Sequence, residues 1–371
     1  MVLADQPGRP TRVPSVDRAV GVLDLVAREH GAGLTLAALT RGLGLPKSTV
    51  LAVCQSLVGE RLLARGADGT YRLGTAVVEL SAARRQQGVA VQRIGIALPN
   101  LTNTFYLAEL EAARQEAEVV GATLEHRSAE QSLDRQAAQI AELVAGGAEL
   151  VVVDPIATRG LEDVLAQAHA QGATVVAVNG ATFGSDATVV TDNAHAGALA
   201  GRHLTDRLGP GASVAVIGGL ALTAITDRIE GFRGALAERP DITVVAEYGG
   251  DHTRESGRAA ARALLRDHPG VDAVFAINDP EALGVADVLR GTGTAPLVVS
   301  VDGSAEAVER IAAGDILSAT AAQDPRRLAS TAVQTGLGVA NGSSAPGRSL
   351  TLPTRLVTRE DAARYETWET R

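Results

Sequence analysis

Ten short apolar segments between residues 94 and 321 constrain the fold of this chain more than any other feature of its sequence. Each segment is five or six residues long, and longer stretches with apolar residues at helical spacing separate them. Strands that are apolar throughout and alternate with helices are typical of parallel sheets covered on both faces. The pattern therefore predicts an α/β fold with parallel sheets. The predicted strands span residues 94–98, 122–126, 150–154, 174–179, 187–191, 213–218, 242–247, 273–278, 297–302 and 317–321.

Polar residues follow five of these strands at their carboxyl ends. In open parallel sheets, ligands bind in the crevice beyond the carboxyl ends of the strands. Asn, Asp, Gly and Pro are also common turn residues, which is the alternative explanation for each end taken alone. Five such ends in one chain favour a shared ligand cleft. These ends are Pro99-Asn100, Asp154-Pro155, Asn179-Gly180, Asn278-Asp279-Pro280 and Asp302-Gly303.

Residues 13 to 75 follow a different pattern, in which three short helices precede a hairpin. Ser15 is expected to cap a first helix whose apolar positions repeat at helical spacing and which ends before residues 31–33. Thr35 is expected to cap a second helix that ends at residues 42–44. The apolar positions of the first helix are Val16, Val20, Leu23 and Val26.

The third helix of this region combines a buried stripe with a polar face. Pro46 suits its first turn, where a missing N–H costs little. Asp68-Gly69 then joins strands at 62–65 and 70–73 into a hairpin, because both residues tolerate positive φ. Three helices and a hairpin in this order predict a winged helix-turn-helix, whose third helix enters the DNA major groove. The buried stripe is Val50, Cys54 and Leu57, and the opposite face is Lys47, Ser48, Leu51, Ala52 and Gln55.

Charge is distributed unevenly along the 371 residues. Residues 1–92 contain eleven Arg and Lys against seven Asp and Glu, whereas the whole chain has a net charge of −9. A mildly basic head on an acidic body keeps the attraction to DNA phosphates local to the head.

Composition limits the remaining functions. No apolar run approaches the roughly 18 residues that a membrane span needs, so we expect a cytoplasmic protein without a membrane segment. The single cysteine, Cys54, excludes an internal disulfide and a multi-cysteine zinc site. The histidines do not pair at the spacing of metal ligands. We therefore expect neither a metal ion nor a cofactor.

The amino-terminal region resembles the IclR-type winged-helix domain over residues 13 to about 75. The resemblance lies in Ser15 and Arg18, in the segment LPKSTV at 45–50, and in the segment GTYRLG at 69–74. Leu51 and Ala52 depart from the family pattern, which usually has base-reaching side chains there. Operator specificity is therefore expected to depend on dimer spacing and DNA shape as well. The DNA-contacting residues that the resemblance implies are Arg41, Lys47, Ser48, Thr49, Gln55, Arg65 and Arg72.

The rest of the chain resembles the type I periplasmic binding fold of ribose-binding proteins and LacI-type regulators. The resemblance implies two α/β lobes that close around a small molecule and are joined by three crossovers, near residues 192, 323 and 353. The matching segments are 94–98 with 103–106, 224–232, 274–279 and 299–303. The predicted domains are a winged helix at 1–75, a linker helix at 76–92 and a two-lobed ligand-sensing domain at 93–371.

In sugar-binding members of this fold, the equivalent residues grip hydroxyl groups and stack aromatic side chains on the sugar ring. Arg228 would form a fork onto adjacent hydroxyls, and Phe105 with Tyr106 would supply the stacking face. Asn179-Gly180 stands where ribose binders commonly have Asp-Arg, so we expect a different or bulkier polyol than ribose. The ligand-binding residues implied in this way are Asn103, Phe105, Tyr106, Asp154, Asn179, Arg228, His252, Asn278, Asp302 and Gln323.

These features lead to the hypothesis of a DNA-binding transcription regulator, a repressor, whose DNA affinity is controlled by a sugar or polyol. We expect a homodimer, or a dimer of dimers, and no enzymatic activity. Two alternatives stay open: a transport-type sugar-binding protein, and a carbohydrate-active enzyme, for which no G-x-S-x-G or strand-linked G-x-G-x-x-G motif is present. Residues 42–48 resemble a phosphate-binding loop only superficially, because Pro46 stands where that loop needs Gly.

Overall fold

The computed structural model describes residues 13–28, 33–86, 91–219, 222–293 and 296–369, and for 81–86 it describes only the backbone. The chain divides into two compact units, residues 1–89 and residues 90–371.

The amino-terminal unit contains helices and a two-stranded hairpin around one small core. Thr35 caps the second helix by accepting from the Ala38 N–H, and Gly44 ends that helix with φ of 63°. Its described elements are α1 (Pro14–Arg28), α2 (Leu36–Leu43), α3 (Lys47–Gly59), β1 (Leu63–Arg65), β2 (Tyr71–Leu73) and α4 (Thr75–Gln86). The buried core is Val22, Val26, Leu39, Val50, Cys54, Leu57, Leu63 and Tyr71.

The first helix differs from its predicted form. It begins at Pro14, so Ser15 lies inside the helix and does not cap it. Of its predicted apolar positions, Val16 and Val20 are 57% and 49% exposed, Leu23 is half-buried and Val26 is buried. Val22, which was not among them, is buried as well. The helix carries apolar residues on two adjacent faces, and packing of α1 against α3 buries the face that contains Val22. The predicted end of this helix, before residues 31–33, lies outside the described residues.

The third helix and the hairpin form close to where they were predicted. Pro46 is the N-cap of α3 and stands just before its first turn, so its predicted position inside that turn was wrong by one residue. In the hairpin, Leu63 pairs with Leu73, and Gly69 adopts φ of 78° in the turn. The Asp68 carboxylate accepts from the N–H and hydroxyl of Thr70, which lowers the pKa of Asp68 to about 2. A backbone bridge between Leu34 and Tyr71 ties the hairpin to the chain before α2.

The carboxy-terminal unit contains two six-stranded sheets, one in each lobe. The first has the order β13-β7-β6-β5-β3-β4 and the second β14-β12-β11-β10-β8-β9. All pairs are parallel except β12 with β14. The strands are β3 (Arg93–Leu98), β4 (Thr123–Ser128), β5 (Leu150–Val153), β6 (Thr174–Val178), β7 (Ala187–Thr191), β8 (Ser213–Ile217), β9 (Thr243–Tyr248), β10 (Ala273–Ala276), β11 (Leu297–Asp302), β12 (Leu317–Ala322), β13 (Arg348–Leu352) and β14 (Arg355–Thr358).

Helices cover both sheets, and the chain passes between the lobes three times. The passages follow β7, β12 and β13, because the next element after each belongs to the other lobe. The helices are α5 (Thr104–Val120), α6 (Leu133–Ala145), α7 (Glu162–Ala170), α8 (Asn193–Thr205), α9 (Thr223–Leu236), α10 (Arg254–Asp267), α11 (Asp279–Leu289), α12 (Ala305–Ala313), α13 (Pro325–Ala340) and α14 (Arg359–Ala362).

All ten apolar segments form strands, which confirms the predicted parallel α/β class. Several strands end before the predicted residue, because the terminal Asp or Asn turns away from the sheet: β5 stops at Val153 and β10 at Ala276. The apolar pattern of the sequence did not predict β13 and β14. Each pairs with one neighbour at a sheet edge, and most of their residues are exposed or half-buried, so neither has an apolar run.

Candidate ligand cleft and candidate DNA interface

One cavity lies between the lobes, where the carboxyl ends of strands from both sheets meet. The empty space within it, open mouth included, is about 630 Å³. All ten residues predicted to bind the ligand line this cavity. Lining residues that the sequence analysis did not name as ligand-binding are Pro99, Gln131, Pro155, Ile156, Gly180, Leu222, Ala224 and Ile225.

Arg228 is the single arginine among the lining residues and is only 4% exposed. Its Nε donates to Asn193 Oδ1 at 2.8 Å, and its Nη1 donates to the carbonyl of Ile277 at 2.8 Å. Nη1 also lies 3.7 Å from Asp302 Oδ1. Burial lowers the pKa of the guanidinium, while Asp302 opposes that change. Arg228 is therefore a buried cation with a fixed orientation, and not the surface ion-pair partner of Asp227 or Glu230.

The position of Arg228 depends on a close approach between α8 and α9. A Cβ added to Gly197 on α8 would lie 1.8 Å from the Arg228 carbonyl oxygen, and one added to Gly231 on α9 would lie 1.9 Å from the Ala194 carbonyl oxygen. Only glycine allows this approach at both positions. It brings Asn193, at the start of α8, within hydrogen-bonding distance of Arg228.

Asp302 ends β11 with φ of 136°, a conformation that is costly for a residue with a side chain. Its Oδ1 accepts from Gln323 Nε2 at 2.7 Å, and its Oδ2 accepts from the backbone N–H of Asp279 at 3.3 Å. Burial raises the pKa of Asp302 to about 7, although Arg228 counteracts the increase. Ser304 occupies the N-cap of α12, so Asp302 faces the cavity and does not cap that helix.

Asp279 supports this side of the cleft from behind, and the sequence analysis did not assign it a role. It is fully buried, and its Oδ1 accepts from the hydroxyls of Ser300 at 2.5 Å and Thr320 at 2.8 Å. Its Oδ2 accepts from the N–H and hydroxyl of Ser304, at 2.7 and 2.8 Å. These bonds fix the loop that presents Asp302. The only sequence signal for Asp279 is its place in a polar strand end, which marks the cleft but does not separate a supporting residue from a ligand-binding one.

His252 and Asn278 line the cavity beside Arg228. His252 has φ of 68°, its backbone N–H donates to Glu281 Oε1, and its carbonyl accepts from Asn278 Nδ2 at 3.2 Å. Burial, followed by the charge of Arg228, lowers the pKa of His252 to about 4, so its ring is neutral at pH 7. Burial raises the pKa of Glu281 to about 8. His252 and Asn278 therefore present neutral polar groups to the cavity.

The first lobe contributes Asp154 and Asn179. Asn179 adopts φ of 61°, and its Nδ2 donates to Asp154 Oδ2 at 3.0 Å. Asp154 is 2% exposed, and burial raises its pKa to about 7. Behind it lies Glu109 of α5, which is fully buried and which the sequence analysis missed. Because α5 also carries Glu111, Glu116 and Glu118, nothing in the sequence marks Glu109 as the buried one.

The aromatic side of the cavity is built at the start of α5. Asn103 caps this helix, with Oδ1 accepting from the Phe105 N–H at 2.9 Å. Phe105 is 5% exposed, and its ring meets those of Tyr106 and Trp368 edge to face, at centroid distances of 5.8 and 6.0 Å. Trp368 was also missed. The carboxylate of Glu369 accepts from Thr104 in one lobe and from the Ala305 N–H in the other, so the segment ending at Glu369 joins the lobes beside the cleft.

The candidate DNA interface of the amino-terminal unit consists of exposed side chains. Lys47, Ser48 and Gln55 are exposed on α3, and Thr49 is half-buried. On the wing, Arg72 forms an ion pair with Asp68 at 2.9 Å, and the Arg65 guanidinium lies 5.9 Å from the centre of the Tyr71 ring. Arg41 is exposed in the last turn of α2. The seven predicted residues are all at least partly accessible, on α2, α3 and the hairpin.

Metal centres and membrane spans are not found in the described ranges of the chain. These ranges contain no group of three or more His, Cys, Asp and Glu side chains that could hold a metal ion. Within the same ranges, no helix combines the length and the apolar character that crossing a membrane requires.

The fold and the cleft define a two-lobed binding protein preceded by a helix-turn-helix. The chain belongs to the family described as periplasmic binding protein domain, which matches residues 94–344, and residues 15–67 match the IclR helix-turn-helix domain. The predicted fusion of these two domains is confirmed. Both families are binding domains, and neither indicates a catalytic function.

Individual relatives match the carboxy-terminal unit. A solute-binding protein of an ABC transporter from Mycobacterium smegmatis, solved with bound glycerol, is 34% identical, has a TM-score of 0.71, and is aligned over 74% of this chain and 96% of its own. One from Bacillus halodurans with bound myo-inositol is 25% identical, with a TM-score of 0.69 and coverage of 75% and 99%. The ribose import binding protein of Bacillus subtilis is 28% identical over 72% of this chain and 87% of its own.

Proposed function

We propose that this protein is a transcription regulator whose affinity for DNA is set by a small sugar or polyol bound between the two lobes. The observation that carries the proposal is the convergence of ten polar and aromatic side chains on one cavity, in a chain that also has an IclR helix-turn-helix. Two solved relatives contain bound glycerol and bound myo-inositol, and the name of the third relative refers to ribose. These three compounds support a polyhydroxylated ligand.

In this proposal, Arg228 and Asp302 bind adjacent hydroxyls from the second lobe, and Asp154 and Asn179 bind hydroxyls from the first. Phe105 and Tyr106 contact the apolar face of the ligand. Gln323 lies next to a passage between the lobes and binds Asp302, so it links the ligand to the hinge. A ligand that contacts both lobes favours their closed arrangement and shifts the population toward it.

The DNA half of the proposal assigns base and phosphate contacts to the exposed face of α3 and to the wing. Lys47 binds phosphate, while Ser48, Thr49 and Gln55 reach base edges. Arg41, Arg65 and Arg72 contact the backbone or the minor groove. The protein acts in the cytoplasm as a repressor.

A homodimer would place two recognition helices on half-sites about one helical turn apart. Exposed apolar side chains in the amino-terminal unit support association with a second copy: Val13, Val16, Val20, Val78 and Leu80 are 49% to 66% exposed. Closure of the lobes would then change the spacing of the two helices and so the DNA affinity.

The experiment combines a thermal-shift screen with a gel shift. Glycerol, D-ribose, xylitol and myo-inositol are tested first, because a ligand that binds only the folded state raises the melting temperature. We expect at least one of them to raise the melting temperature of the protein and to change its affinity for the DNA upstream of the gene that encodes it. A stabilising ligand with no effect on DNA binding would refute the regulator.

A transport-type sugar-binding protein is the second candidate, because the relatives named above belong to import systems. Cell fractionation separates the two: a regulator is found with the cytoplasm and a transport component outside it. The match of residues 15–67 to a DNA-binding domain favours the regulator.

A further inference from the structure

A pair of buried carboxyl groups lies where the first lobe meets the cleft. Asp154 lines the cavity, and Glu109 lies behind it, on the second turn of α5, with no exposed surface of its own. Among the described residues, neither oxygen of Glu109 has a hydrogen-bond donor as a partner, and the neighbouring group that acts on it is the Asp154 carboxyl. Two neighbouring carboxylates in a buried place cannot both be ionised without a large cost, so one of them keeps a proton.

The surroundings decide which carboxyl group keeps the proton. Asp154 accepts a hydrogen bond from Asn179 Nδ2 and lies in the field of Arg228, and both favour its ionised form. Glu109 has neither of these. Burial, followed by the charge of Asp154, raises the pKa of Glu109 well above its usual range. Glu109 is therefore the acid of the pair and Asp154 the base.

We propose that Glu109 is a positioning residue for ligand binding: its protonated carboxyl donates to Asp154 and holds Asp154 as an ionised acceptor for a ligand hydroxyl. This inference rests on the proposed function, since it specifies how the same cleft binds its polyol. Glu109 does not touch the ligand. It acts because its hydrogen bond satisfies one oxygen of Asp154 and fixes the orientation of the carboxylate.

The proposal leads to a specific pH dependence. The pKa of Asp154 is about 7, raised by burial and lowered again by Asn179 and Glu109. A ligand hydroxyl donates best to the ionised form, so affinity increases as pH rises through about 7 and falls as Asp154 takes up its proton. Removal of the Glu109 donor raises the pKa of Asp154 further and moves this increase to higher pH.

Other titratable groups face the pair, and each must be separated from it. From α5, Tyr106 has a pKa raised well above 10 by burial and stays neutral. From the second lobe, Arg228 stays charged, and Asp302 has a pKa of about 7 and therefore contributes in the same direction as Asp154. His252 and Glu281, with pKa values of about 4 and about 8, lie on the Asp302 side. All of these are present in every variant below, so a difference between variants belongs to Glu109.

The experiment compares Glu109→Gln with Glu109→Leu in the full-length protein. Glutamine keeps a neutral hydrogen-bond donor toward Asp154, and leucine has similar size but no donor. Calorimetric titrations with D-ribose, xylitol and myo-inositol are made across about pH 5.5 to 9. We expect Glu109→Gln to keep the wild-type midpoint of the affinity profile. We expect Glu109→Leu to move the midpoint upward, and a midpoint that lies about one pH unit higher lowers the affinity at pH 7 by up to about tenfold.

A measurement without ligand tests the pair itself. Glu281, whose pKa is about 8, contributes a protonated carboxyl band in all three free proteins. Infrared difference spectra are expected to reveal a second such band, from Glu109, that persists above pH 7 and is lost in both variants. Loss of that band together with an unshifted Glu109→Leu affinity profile would overturn the positioning role. A Glu109→Gln protein that folds but binds as poorly as Glu109→Leu would overturn it as well. Wild-type protein that binds none of the three probes would instead refute the proposed polyol function.

Discussion

The two candidate binding surfaces hold their polar residues in opposite ways. In the amino-terminal unit, Lys47 and Gln55 stand exposed on α3. In the cleft, Arg228 and Asp302 are 4% and 6% exposed, and each is hydrogen-bonded to two other residues of the protein. The cleft is thus organised before a ligand arrives, whereas on the proposed interface Lys47 and Gln55 would gain partners on binding DNA.

This difference determines what a substitution does. Removing one member of a buried hydrogen-bonded set leaves the other members without partners, so binding and stability fall together. Removing an exposed side chain leaves nothing unsatisfied in the free protein, so only binding changes. Substitutions in the cleft should therefore lower ligand binding and stability together, whereas substitutions on the proposed DNA interface should lower DNA binding alone.

Arg228→Ala gives the largest expected effect. The substitution removes the cation beside buried Asp302 and the hydrogen-bond donor to Asn193 Oδ1. We expect this loss to destabilise the carboxy-terminal unit by about 3–5 kcal/mol. The response to the stabilising polyol should disappear, while DNA binding in a gel shift stays intact. Arg233→Ala is the matched control, because Arg233 lies on the same helix but is exposed and paired with Glu247. A gel shift in which Arg228→Ala still responds fully to the polyol would contradict the assignment.

Gly197→Ala tests whether the position of Arg228 depends on the approach of α8 to α9. A Cβ at Gly197 would lie 1.8 Å from the Arg228 carbonyl oxygen, so α9 must move. We expect a loss of about 1–3 kcal/mol in the free energy of unfolding, measured with denaturant, and weaker polyol binding. At Gly234, on the exposed side of α9, nothing lies within 4 Å of an added Cβ. Gly234→Ala should be neutral or stabilising, and equal losses in the two variants would refute this account.

The strands of the cleft could be predicted from the sequence because parallel strands buried on both faces contain few polar residues. Segment 150–154 shows the limit of this signal: its apolar part is β5, and its last residue, Asp154, leaves the sheet and enters the cavity. Edge strands such as β13 have exposed positions along their length and give no apolar run. Asp154, Asn179, Asn278 and Asp302 stand at the polar strand ends that predicted the cleft. The other six cleft residues came from the resemblance to a known family, since no periodicity distinguishes Arg228 from a surface arginine.

The roles of the supporting residues of the cleft could not be predicted, although Asp279 stands in one of the polar strand ends. Glu109, Asn193 and Asp279 lie in or at the start of helices, where polar residues are usually solvated. Their burial follows from how α5, α8 and α11 pack in the folded lobes, which is not encoded in local sequence. The exposure of Val16 and Val20 on α1 has a related cause, because apolar residues occur at helical spacing on two faces of this helix and only packing in the folded unit decides which of them are buried.

Gln55→Ala tests the DNA face at a single base position. An amide side chain pairs with adenine through two hydrogen bonds, and its loss is expected to reduce discrimination at that position by about 1–3 kcal/mol. Binding should be measured by competition among operator variants that differ at one base pair. Thermal stability should not change, since Gln55 is exposed. A loss that is uniform over all variants would show that Gln55 contacts phosphate instead.

Lys47→Ala gives the smallest expected effect and the sharpest contrast with Arg228→Ala. A single phosphate contact contributes the same attraction to every DNA sequence, so affinity should fall uniformly, by about 1 kcal/mol or less at physiological salt. The slope of log affinity against log salt concentration should decrease by about one. Polyol binding and the free energy of unfolding should remain at wild-type values.

Arg61→Ala is the control for Lys47→Ala, because Arg61 is paired with Glu79 outside the predicted interface and its removal should leave the slope unchanged. An unchanged slope for Lys47→Ala would remove Lys47 from the DNA interface, whereas a loss of unfolding stability comparable to that of Arg228→Ala would show that the exposed face is as tightly organised as the cleft.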